Sequence, residues 1–513
     1  MMSSVRGALR WGFELVERPL DRLFGPALNP LGQLGALGFF FFWIVAVSGI
    51  YLFAFFDTGI ERAFGSVERI STTWWYHAGV MRSFHRYASD LMVVTVALHL
   101  LREFSRDRYR GARWFSWFTG LPLVALIYIS GITGYWLVWD RLAQYVAVVS
   151  SELLDWLPIF GEPIARNFVA TGTLSNRFFT LMVFLHVAVP LFLLFLMWVH
   201  ILRISRPRIN PPRTLAALSL VALVGVSLWH PALSQGHVDL AKAPVEVGLD
   251  WFFLPLYPLG ALWGNGGVWA LLGAFSIMIG LMPWLPPLRR ARAAAVDLDH
   301  CNGCARCAED CPYEAIRMVP RTDKLPFPTE ARVDPALCVS CGICVASCPS
   351  STPFRRSDEL RTGIDLPDFP LTVLRERTIA AAGRLAATPR VLVFACAHGG
   401  GAGREGAVIL PCVAMAPPSL IDFVLSRDLA DGVVVAGCAE NACHHRLGVA
   451  WTGQRFAGKR DPYLRERVPR ERIATVWTSA LSAGRADEAI AAFAARVAAL
   501  PAPAPRRVRE KVP

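Results

Sequence analysis

The chain has 513 residues, of which 54% are apolar and 18% charged, and its formal net charge is +12. Its length exceeds that of one domain and its apolar content exceeds that of an ordinary soluble protein, which excludes a wholly soluble single-domain protein. The positive charge requires no nucleic-acid partner, because much of it lies in short loops where it faces anionic lipid.

The first 290 residues contain the candidate membrane spans. Five uncharged runs exceed the ~20 residues that cross ~30 Å of hydrocarbon; they are 35–56, 114–139, 178–202, 214–238 and 251–288. A sixth segment, 75–101, carries Arg82, Arg86 and Asp90 near its start and is otherwise apolar. We therefore predict an all-α bundle of six transmembrane helices over residues 35–288, after an N-terminal segment 1–34. The first run is too long for a signal peptide and is predicted to be retained.

Loop charges predict the orientation of this bundle. Lys and Arg number four in residues 1–34, five in 102–113, four in 203–213 and three in 289–292. The alternate loops 57–74, 138–177 and 230–250 hold two, three and one. By the positive-inside rule, both termini are cytoplasmic and the protein is a multi-pass protein of the cytoplasmic (inner) membrane.

Two histidine pairs share one spacing: His85 and His99 in the second segment, and His186 and His200 in the fourth. In an α-helix, two residues that are fourteen positions apart lie on nearly the same face. The two histidines of each pair are then ~21 Å apart along the helix axis. In the predicted orientation His85 and His186 are outer, whereas His99 and His200 are inner. Two matched levels favour two haems, each held by one imidazole from each helix. The alternative is interior histidines bonded to backbone or water.

These residues carry a resemblance to cytochrome b of the quinol-oxidising bc and b6f complexes. Its first three helices resemble, in order, "GQLGALGFFFFWIVAVSG", "GVMRSFHRYASDLMVVTVALHLLR" and "FTGLPLVALIYISGITGYWLVWD". The resemblance covers roughly residues 30–288 and implies two b haems, a quinone or quinol substrate and a homodimer. Six predicted spans are fewer than the eight of mitochondrial-type cytochrome b.

Glycines and one arginine extend the resemblance. The pairs Gly35/Gly49 and Gly120/Gly134 repeat the fourteen-residue spacing, and the family implies that they let haem rings approach the backbone. The alternative for them is small-residue helix packing. Arg82 falls where the family has an arginine near a haem propionate, although an arginine there also suits snorkelling.

The stretch "GLDWFFLPLY" resembles the Pro-Glu-Trp-Tyr region of the family's outer quinol pocket. The matching positions are Leu249, Asp250, Trp251 and Phe252. Asp250 keeps a carboxylate of shorter reach, whereas Leu249 and Phe252 lose the proline and the phenol. The resemblance therefore implies an outer quinone site that is either altered or silent, with Asp250 as its candidate proton acceptor. The alternative is an Asp250 that caps the interfacial segment.

All twelve cysteines lie between Cys301 and Cys443, in the half predicted to be cytoplasmic, where metal ligation is expected rather than disulfides. No CxxCH motif is present, which argues against c-type haem. Two CxxCxxCxxxCP runs are typical of a double [4Fe-4S] ferredoxin, in which the fourth cysteine of each run ligates the other cluster. The predicted sets are Cys301, Cys304, Cys307 and Cys348, and Cys338, Cys341, Cys344 and Cys311. Zinc is the alternative, but its usual motifs lack this triplet.

The ferredoxin runs define an α+β domain over residues 289–355. Between them, residues 313–337 are more than a minimal ferredoxin needs and are predicted to form a surface excursion. A linker is predicted over 356–388.

Residues 389–500 alternate strand-like and helix-like stretches, which predicts a small α/β domain with a parallel sheet. Cys396, Cys412 and Cys438 end three of its strands, and Cys443 follows five residues later. Strand ends converge on one sheet edge, so four thiolates fit a [2Fe-2S] centre there, with zinc or unligated thiols as alternatives. The GxGxxG at residues 401–406 precedes another strand rather than a helix, so dinucleotide binding is not expected. The tail 501–513 is predicted to be disordered.

The stretches "LADGVVVAGCAENACHHRLG" and "RERIATVW" resemble the delta subunit of methyl-viologen-reducing hydrogenase. That family's small iron-sulfur protein connects an electron donor to heterodisulfide reductase. It has more than one cysteine where this chain has only Cys396 before "AHGG".

These features predict a membrane oxidoreductase that links the quinone pool, through two b haems and iron-sulfur clusters, to a soluble cytoplasmic redox partner. The alternative is a non-catalytic anchor and electron conduit of a hydrogenase, formate dehydrogenase or heterodisulfide-reductase-like complex. The sequence has no flavin, nickel or molybdenum motif, so partner subunits are expected under both hypotheses. A third hypothesis, bifurcation of quinol electrons, lacks a Rieske-type ligand set or c haem in this chain.

Overall fold

The computed structural model describes residues 2–159, 161–164, 176–202, 204, 206–242, 246–285, 291–351 and 360–501. Contacts divide the chain into two compact units, Met1–Pro286 and Pro287–Pro513, called here the membrane unit and the iron-sulfur unit. The predicted disordered tail lies almost entirely outside the described residues, as do Arg289 and Arg290 of the last basic loop.

The described part of the membrane unit is helical. Its helices are α1 (Met2–Phe24), α2 (Leu34–Phe53), α3 (Ala63–Thr72), α4 (Val80–Ser105), α5 (Trp114–Val138), α6 (Arg141–Asp155), α7 (Asn176–Ile201), α8 (Arg213–Trp229) and α9 (Tyr257–Leu281). Among the described residues, four helices are long and apolar enough to cross a membrane: Leu34–Phe53, Gly111–Val138, Phe179–Ile201 and Tyr257–Trp284. The protein is therefore a helical membrane protein, while six spans remain a prediction.

Two of the predicted segments differ from the observed helices. The run 214–238 stops being helical at Trp229, because His230 precedes Pro231 and takes an extended conformation with φ −134° and ψ 80°. The run 251–288 becomes helical only at Tyr257, and Gly264 interrupts that helix with a φ of 71°. The apolar composition of the two runs did not predict where either helix ends or begins.

Helix pairs build the core of the membrane unit. Helix α2 packs against α4, and α5 packs against α7. At the end of α5, Trp139 adopts a left-handed conformation, and its buried ring meets Phe179 edge-on. The next residue, Asp140, caps α6 by accepting from Ala143 N at 2.8 Å. This turn fixes the end of α5 against α7.

Among its described residues, the iron-sulfur unit combines short helices with three sheets. Its elements are β1 (Ala295–Val296), α10 (Arg306–Glu309), β2 (Ile316–Pro320), β3 (Thr329–Val333), α11 (Ile343–Ser347), β4 (Ile364–Asp365), α12 (Leu371–Gly383), β5 (Val391–Cys396), β6 (Val408–Leu410), α13 (Pro418–Ser426), β7 (Gly432–Gly437), α14 (Gly448–Phe456), β8 (Ile473–Trp477) and α15 (Ala483–Ala498). Strands β1 and β4 pair antiparallel, as do β2 and β3. The remaining strands form a parallel sheet in the order β6-β5-β7-β8, which confirms the predicted sheet of the last domain.

Two segments are more regular than the sequence suggested. The predicted excursion forms the β2–β3 hairpin, in which Ile316 pairs with Val333. The described part of the predicted linker contains β4 and α12, and Leu371 and Leu374 of that helix are fully buried in the core that includes Phe394. Leu371, Leu374, Thr378 and Ala381 are spaced to share one helix face, a signal that the alanine-rich end of the segment obscures.

Candidate redox sites

His85 and His186, the pair predicted to be outer, face each other across two helices. The rings of His85 on α4 and His186 on α7 have centres 6.3 Å apart at an interplanar angle of 63°. Imidazole nitrogens bind a metal ion at about 2 Å and the ring centre lies about 1 Å further back, so two imidazoles on opposite faces of one ion have centres about 6 Å apart. The observed separation fits a single metal ion held between the two rings.

Backbone carbonyls fix the tautomer of both rings. His85 Nδ1 lies 3.0 Å from Val45 O, and His186 Nδ1 lies 3.0 Å from Ser130 O. Because a carbonyl oxygen can only accept, each Nδ1 carries the proton and donates. Each Nε2 is then the unprotonated nitrogen, which is the form that ligates a metal.

The four predicted glycines each lie against one of the four histidines. A Cβ on Gly49 would lie 3.0 Å from His85 Cε1, and one on Gly134 would lie 2.9 Å from His186 Cε1. At the second level, a Cβ on Gly35 would lie 3.4 Å from His99 Cε1, and one on Gly120 would lie 3.4 Å from His200 Cε1. In this structure the repeated glycine spacing therefore makes room for the imidazole rings themselves.

His200, of the pair predicted to be inner, has hydrogen-bonding partners on α5. His200 Nδ1 lies 3.1 Å from the hydroxyl of Thr119 on α5, and the hydroxyl of Ser116 donates to the His200 backbone carbonyl at 3.4 Å. The hydroxyl of Thr133 lies 3.3 Å from Nδ1 of His186 at the outer level. Thr119 and Thr133 are fourteen residues apart, like the histidines that they contact.

Arg82 joins three parts of the membrane unit. Its guanidinium donates to the hydroxyl of Ser71 and, at 3.1 Å, to that of Ser234. These partners lie on α3 and in the loop after α8. The side chain is thus held within the protein, one helical turn before His85.

Asp250 is buried in a polar cluster that also contains Arg86, Asp90 and Tyr135. Its carboxylate pairs with the Arg86 guanidinium at 2.6 Å and accepts from the Tyr135 hydroxyl. Arg86 also pairs with Asp90 at 2.5 Å. The other Asp250 oxygen accepts from Phe252 N at 2.7 Å. Asp250 therefore has a local backbone contact through one oxygen and long-range contacts through the other, and its role as a proton acceptor stays a prediction.

Sequence reasoning missed Arg86 and Tyr135 as partners of this carboxylate. Both were visible as polar residues in otherwise apolar segments, and such residues usually have a function or a partner. Their pairing with Asp250 spans more than a hundred residues, so spacing along the chain could not show it.

The first two cysteine sets converge as the ferredoxin pattern requires. Burial, and then the thiols of Cys348, Cys304 and Cys301, raise the pKa of Cys307 to about 12. One cavity is lined by all four members of the second set: Cys311, Cys338, Cys341 and Cys344. Since only thiolates ligate iron or zinc, binding must release protons from these sites.

The last four cysteines also meet, at the edge of the parallel sheet. All four are buried, and the sulfurs of Cys396 and Cys438 are 3.6 Å apart. A disulfide would be about 2.05 Å, whereas two sulfurs on one tetrahedral ion at about 2.3 Å are nearly 4 Å apart. A Cβ on Gly448 would meet both Cys412 Sγ and Cys443 Sγ, which places these two sulfurs around the same residue.

The third set adjoins the second. Cys341 and Cys412 belong to one buried cluster with Ile343 and Trp451. Burial, followed by the thiols of Cys443 and Cys341, raises the pKa of Cys412 well above its usual value. The sequence did not indicate that the two sets adjoin, because their ligand loops are about seventy residues apart.

Three histidines next to the third set were also not predicted as a group. The ligating atoms of His398, His444 and His445 lie within 4.8 Å of one another. The rings of His398 and His444 are stacked, with their centres 3.7 Å apart and an interplanar angle of 12°. Parallel stacked rings direct their nitrogens side by side rather than toward one point, so this arrangement suits packing better than shared metal ligation.

Comparisons with known proteins follow the same order of parts. Family models match residues 20–207 (Cytochrome b/b6/petB), 300–352 (4Fe-4S dicluster domain) and 406–501 (Methyl-viologen-reducing hydrogenase, delta subunit). Together with the apolar helices, these matches define a membrane electron-transfer protein that contains haem b and [4Fe-4S] clusters.

Cytochrome b6 of Porphyra purpurea is 30% identical over 192 residues, which are 36% of this chain and 87% of the relative. At that identity and coverage, the chain belongs to the cytochrome b/b6 family through its membrane unit. Cytochrome b of Rickettsia prowazekii (strain Madrid E) is 24% identical over 50% of this chain and 72% of its own length. That of Rhodospirillum rubrum is 25% identical over 53% of this chain and 73% of its own length.

A solved structure named "Hyperthermophilic respiratory Complex III" is similar at 19% identity. The similar region covers 49% of this chain and 74% of the chain in that structure, with a TM-score of 0.40.

Proposed function

We propose that the protein is a quinone/quinol oxidoreductase component, which passes electrons between the quinone pool and a soluble cytoplasmic redox partner. The observation that carries this proposal is the His85/His186 pair, whose ring separation of 6.3 Å fits one metal ion between two family-matched helices. The proposal includes six spans, cytoplasmic termini and assembly with partner subunits, with a homodimer as the assembly that the family implies.

The four histidines supply the proposed haem sites. His85 and His186 hold the outer haem b, and His99 and His200 hold the inner one. When bound, haem iron supplies one-electron redox chemistry. The chain fixes the unprotonated nitrogen of both outer rings through Val45 and Ser130. Glycines at all four ring positions leave room for the histidines, and Arg82, which the family places near a propionate, supplies a cation.

The twelve cysteines supply the proposed iron-sulfur sites. One [4Fe-4S] cluster takes Cys301, Cys304, Cys307 and Cys348, and the other takes Cys338, Cys341, Cys344 and Cys311. A [2Fe-2S] centre takes Cys396, Cys412, Cys438 and Cys443. The contact between Cys341 and Cys412 supports an electron path from the third centre into the ferredoxin domain. Iron and sulfide analysis with Mössbauer spectroscopy separates a [2Fe-2S] centre from zinc at the last set.

Asp250 is the proposed proton acceptor of the outer quinone site. Arg86 contacts both Asp250 and Asp90, so one cation faces two carboxylates and the ionised group carries a net negative charge. One proton taken up from quinol would make this group neutral. The hydroxyl of Tyr135 holds the Asp250 carboxylate in place until then.

The test is quinol-driven haem reduction by the purified protein in liposomes. We expect reduction that a quinone-site inhibitor blocks and that Asp250→Asn slows. Asp239→Asn is the matched control, because the carboxylate of this exposed aspartate accepts from Ala241 N at 3.0 Å and lies 3.9 Å from the Lys242 ammonium, and neither residue belongs to the Asp250 cluster. If haem is reduced from the soluble side alone and quinol has no effect, the quinone proposal fails.

The second candidate function is a membrane anchor and electron conduit for a hydrogenase, formate dehydrogenase or heterodisulfide-reductase-like enzyme. The match of residues 406–501 to the hydrogenase delta subunit favours it. It predicts haem reduction by a reduced soluble partner with no quinol reaction, so the same liposome experiment separates the two functions.

A further inference from the structure

One buried arginine lies where the ligand loops of all three cysteine sets meet. Arg455, on α14, is 1% exposed. It donates to the Asp310 carboxylate at 2.5 Å and to the Ser347 hydroxyl at 2.6 Å. Its other terminal nitrogen donates to Ala414 O at 3.1 Å. One guanidinium therefore holds three loops that are distant in sequence.

Each partner of Arg455 is next to a cysteine. Asp310 immediately precedes Cys311, and Ser347 immediately precedes Cys348. Cys311 and Cys348 are the fourth cysteines of the two runs. Each is assigned to the cluster whose other three ligands come from the other run. Ala414 follows Cys412 of the third set by two residues. Arg455 thus contacts the chain beside the crossing ligand of both ferredoxin clusters and beside a ligand of the third centre.

Both carboxylate oxygens of Asp310 have hydrogen-bonding partners besides Arg455. Ser347 donates to the Asp310 carboxylate at 2.6 Å, and Arg460 donates to its other oxygen at 2.5 Å. The Arg460 guanidinium also lies 4.2 Å from the ring centre of Trp451. A buried carboxylate with two guanidinium partners and a hydroxyl has its hydrogen-bonding capacity used. With two guanidinium groups and one carboxylate, the group of Arg455, Arg460 and Asp310 carries one net positive charge.

We propose that Arg455 is a positioning residue for electron transfer, which aligns the second [4Fe-4S] cluster with the third centre and sets the potentials of both. The proposal rests on the cluster assignments of the proposed function. Reduction adds an electron to a cluster, so a buried cation nearby favours the reduced form and raises its midpoint potential. Arg455 supplies that cation, and its fork geometry supplies the alignment.

The experiment is a redox titration of the full-length protein followed by electron paramagnetic resonance. Arg455→Met removes the cation, so we expect lower midpoint potentials for the second and third centres. Asp310→Asn removes the anion and should shift the same potentials upward. Arg455→Lys keeps the positive charge but loses the planar set of guanidinium donors. The midpoint potentials should therefore stay near wild type, while the magnetic broadening between the second and third centres in their reduced forms weakens.

Arg467→Met is the matched control, because this arginine is ion-paired with Asp422 on α13 instead. It should leave potentials and broadening unchanged. If Arg455→Met loses iron, Asp310→Asn carries the test of the potentials and Arg455→Lys carries the test of the alignment. Wild-type potentials in Asp310→Asn together with wild-type broadening in Arg455→Lys overturn the proposal. A wild-type protein without the expected iron signals overturns the cluster assignments instead.

Discussion

The membrane unit and the iron-sulfur unit position their candidate ligands in opposite ways. His85 and His186 project from α4 and α7, whose backbone hydrogen bonds are closed within each helix, so the ligand positions follow from helix geometry. In the iron-sulfur unit most cysteines lie outside regular elements, and Cys311 and Cys348 join sets from the opposite run. We therefore expect helical ligands to keep their places without a cofactor and loop ligands to depend on one.

Iron removal should produce the largest contrast between the units. Because structural metal binding contributes directly to folding, chelation under reducing conditions should expose the ligand loops of residues 291–351 to protease. The helices of the membrane unit should stay protected in the same sample. Limited proteolysis with mass spectrometry measures both, and equal resistance of the iron-sulfur unit with and without iron would contradict the comparison.

Single histidine substitutions should have a smaller and strictly local effect. His186→Ala and His200→Ala each remove one proposed axial ligand from a different level. We expect each variant to lose one of two haems, about half of the b-type absorbance, and to keep its helical circular dichroism. Loss of both haems from either variant would show that the two levels do not act separately.

A glycine in the last domain tests the third cysteine set. A Cβ at Gly448 would overlap the sulfur of Cys412, whereas nothing lies within 4 Å of a Cβ at Gly453 on the same helix. Gly448→Ala should therefore reduce the iron content of the third centre and leave the ferredoxin signals. Gly453→Ala is the control and should match wild type in both.

The smallest effect is expected from glycines beside the histidines. A Cβ at Gly134 would crowd the His186 ring at 2.9 Å, while a Cβ at Gly225 on α8 has nothing within 4 Å. Alanine gains up to about 1 kcal/mol over glycine in a helix, but overpacking costs about 1–3 kcal/mol. Gly134→Ala should lower the thermal midpoint and shift the haem spectrum, whereas Gly225→Ala should be neutral or stabilising. Equal midpoints would contradict the packing role.

The sequence predicted the residues whose geometry follows from local spacing. Fourteen-residue separation places His85 and His99 on one face because the helix period is fixed, and strand ends place Cys396 and Cys438 on one sheet edge. The parallel sheet and the order of domains followed from the same local patterns. The family resemblance added Asp250, which no spacing indicates.

The remaining contacts are long-range and could not be read from spacing. Arg455 and Asp310 are 145 residues apart, and nothing near either residue specifies the other. The burial of Leu371 and Leu374 depends on a core built from later strands, so a segment that reads as a linker became part of a domain. The break at Gly264 likewise follows from backbone conformation that an apolar run does not reveal.

Cys304 is exposed, whereas Cys307, Cys341, Cys344 and Cys348 and the four cysteines of the last domain are buried. We therefore expect dissolved oxygen to reach the first ferredoxin set before the others, since access controls the oxidation of sulfur ligands. We expect air to bleach that cluster first and the third centre last. The protein should consequently be isolated without air, and the order of loss on exposure would rank the three centres by their depth.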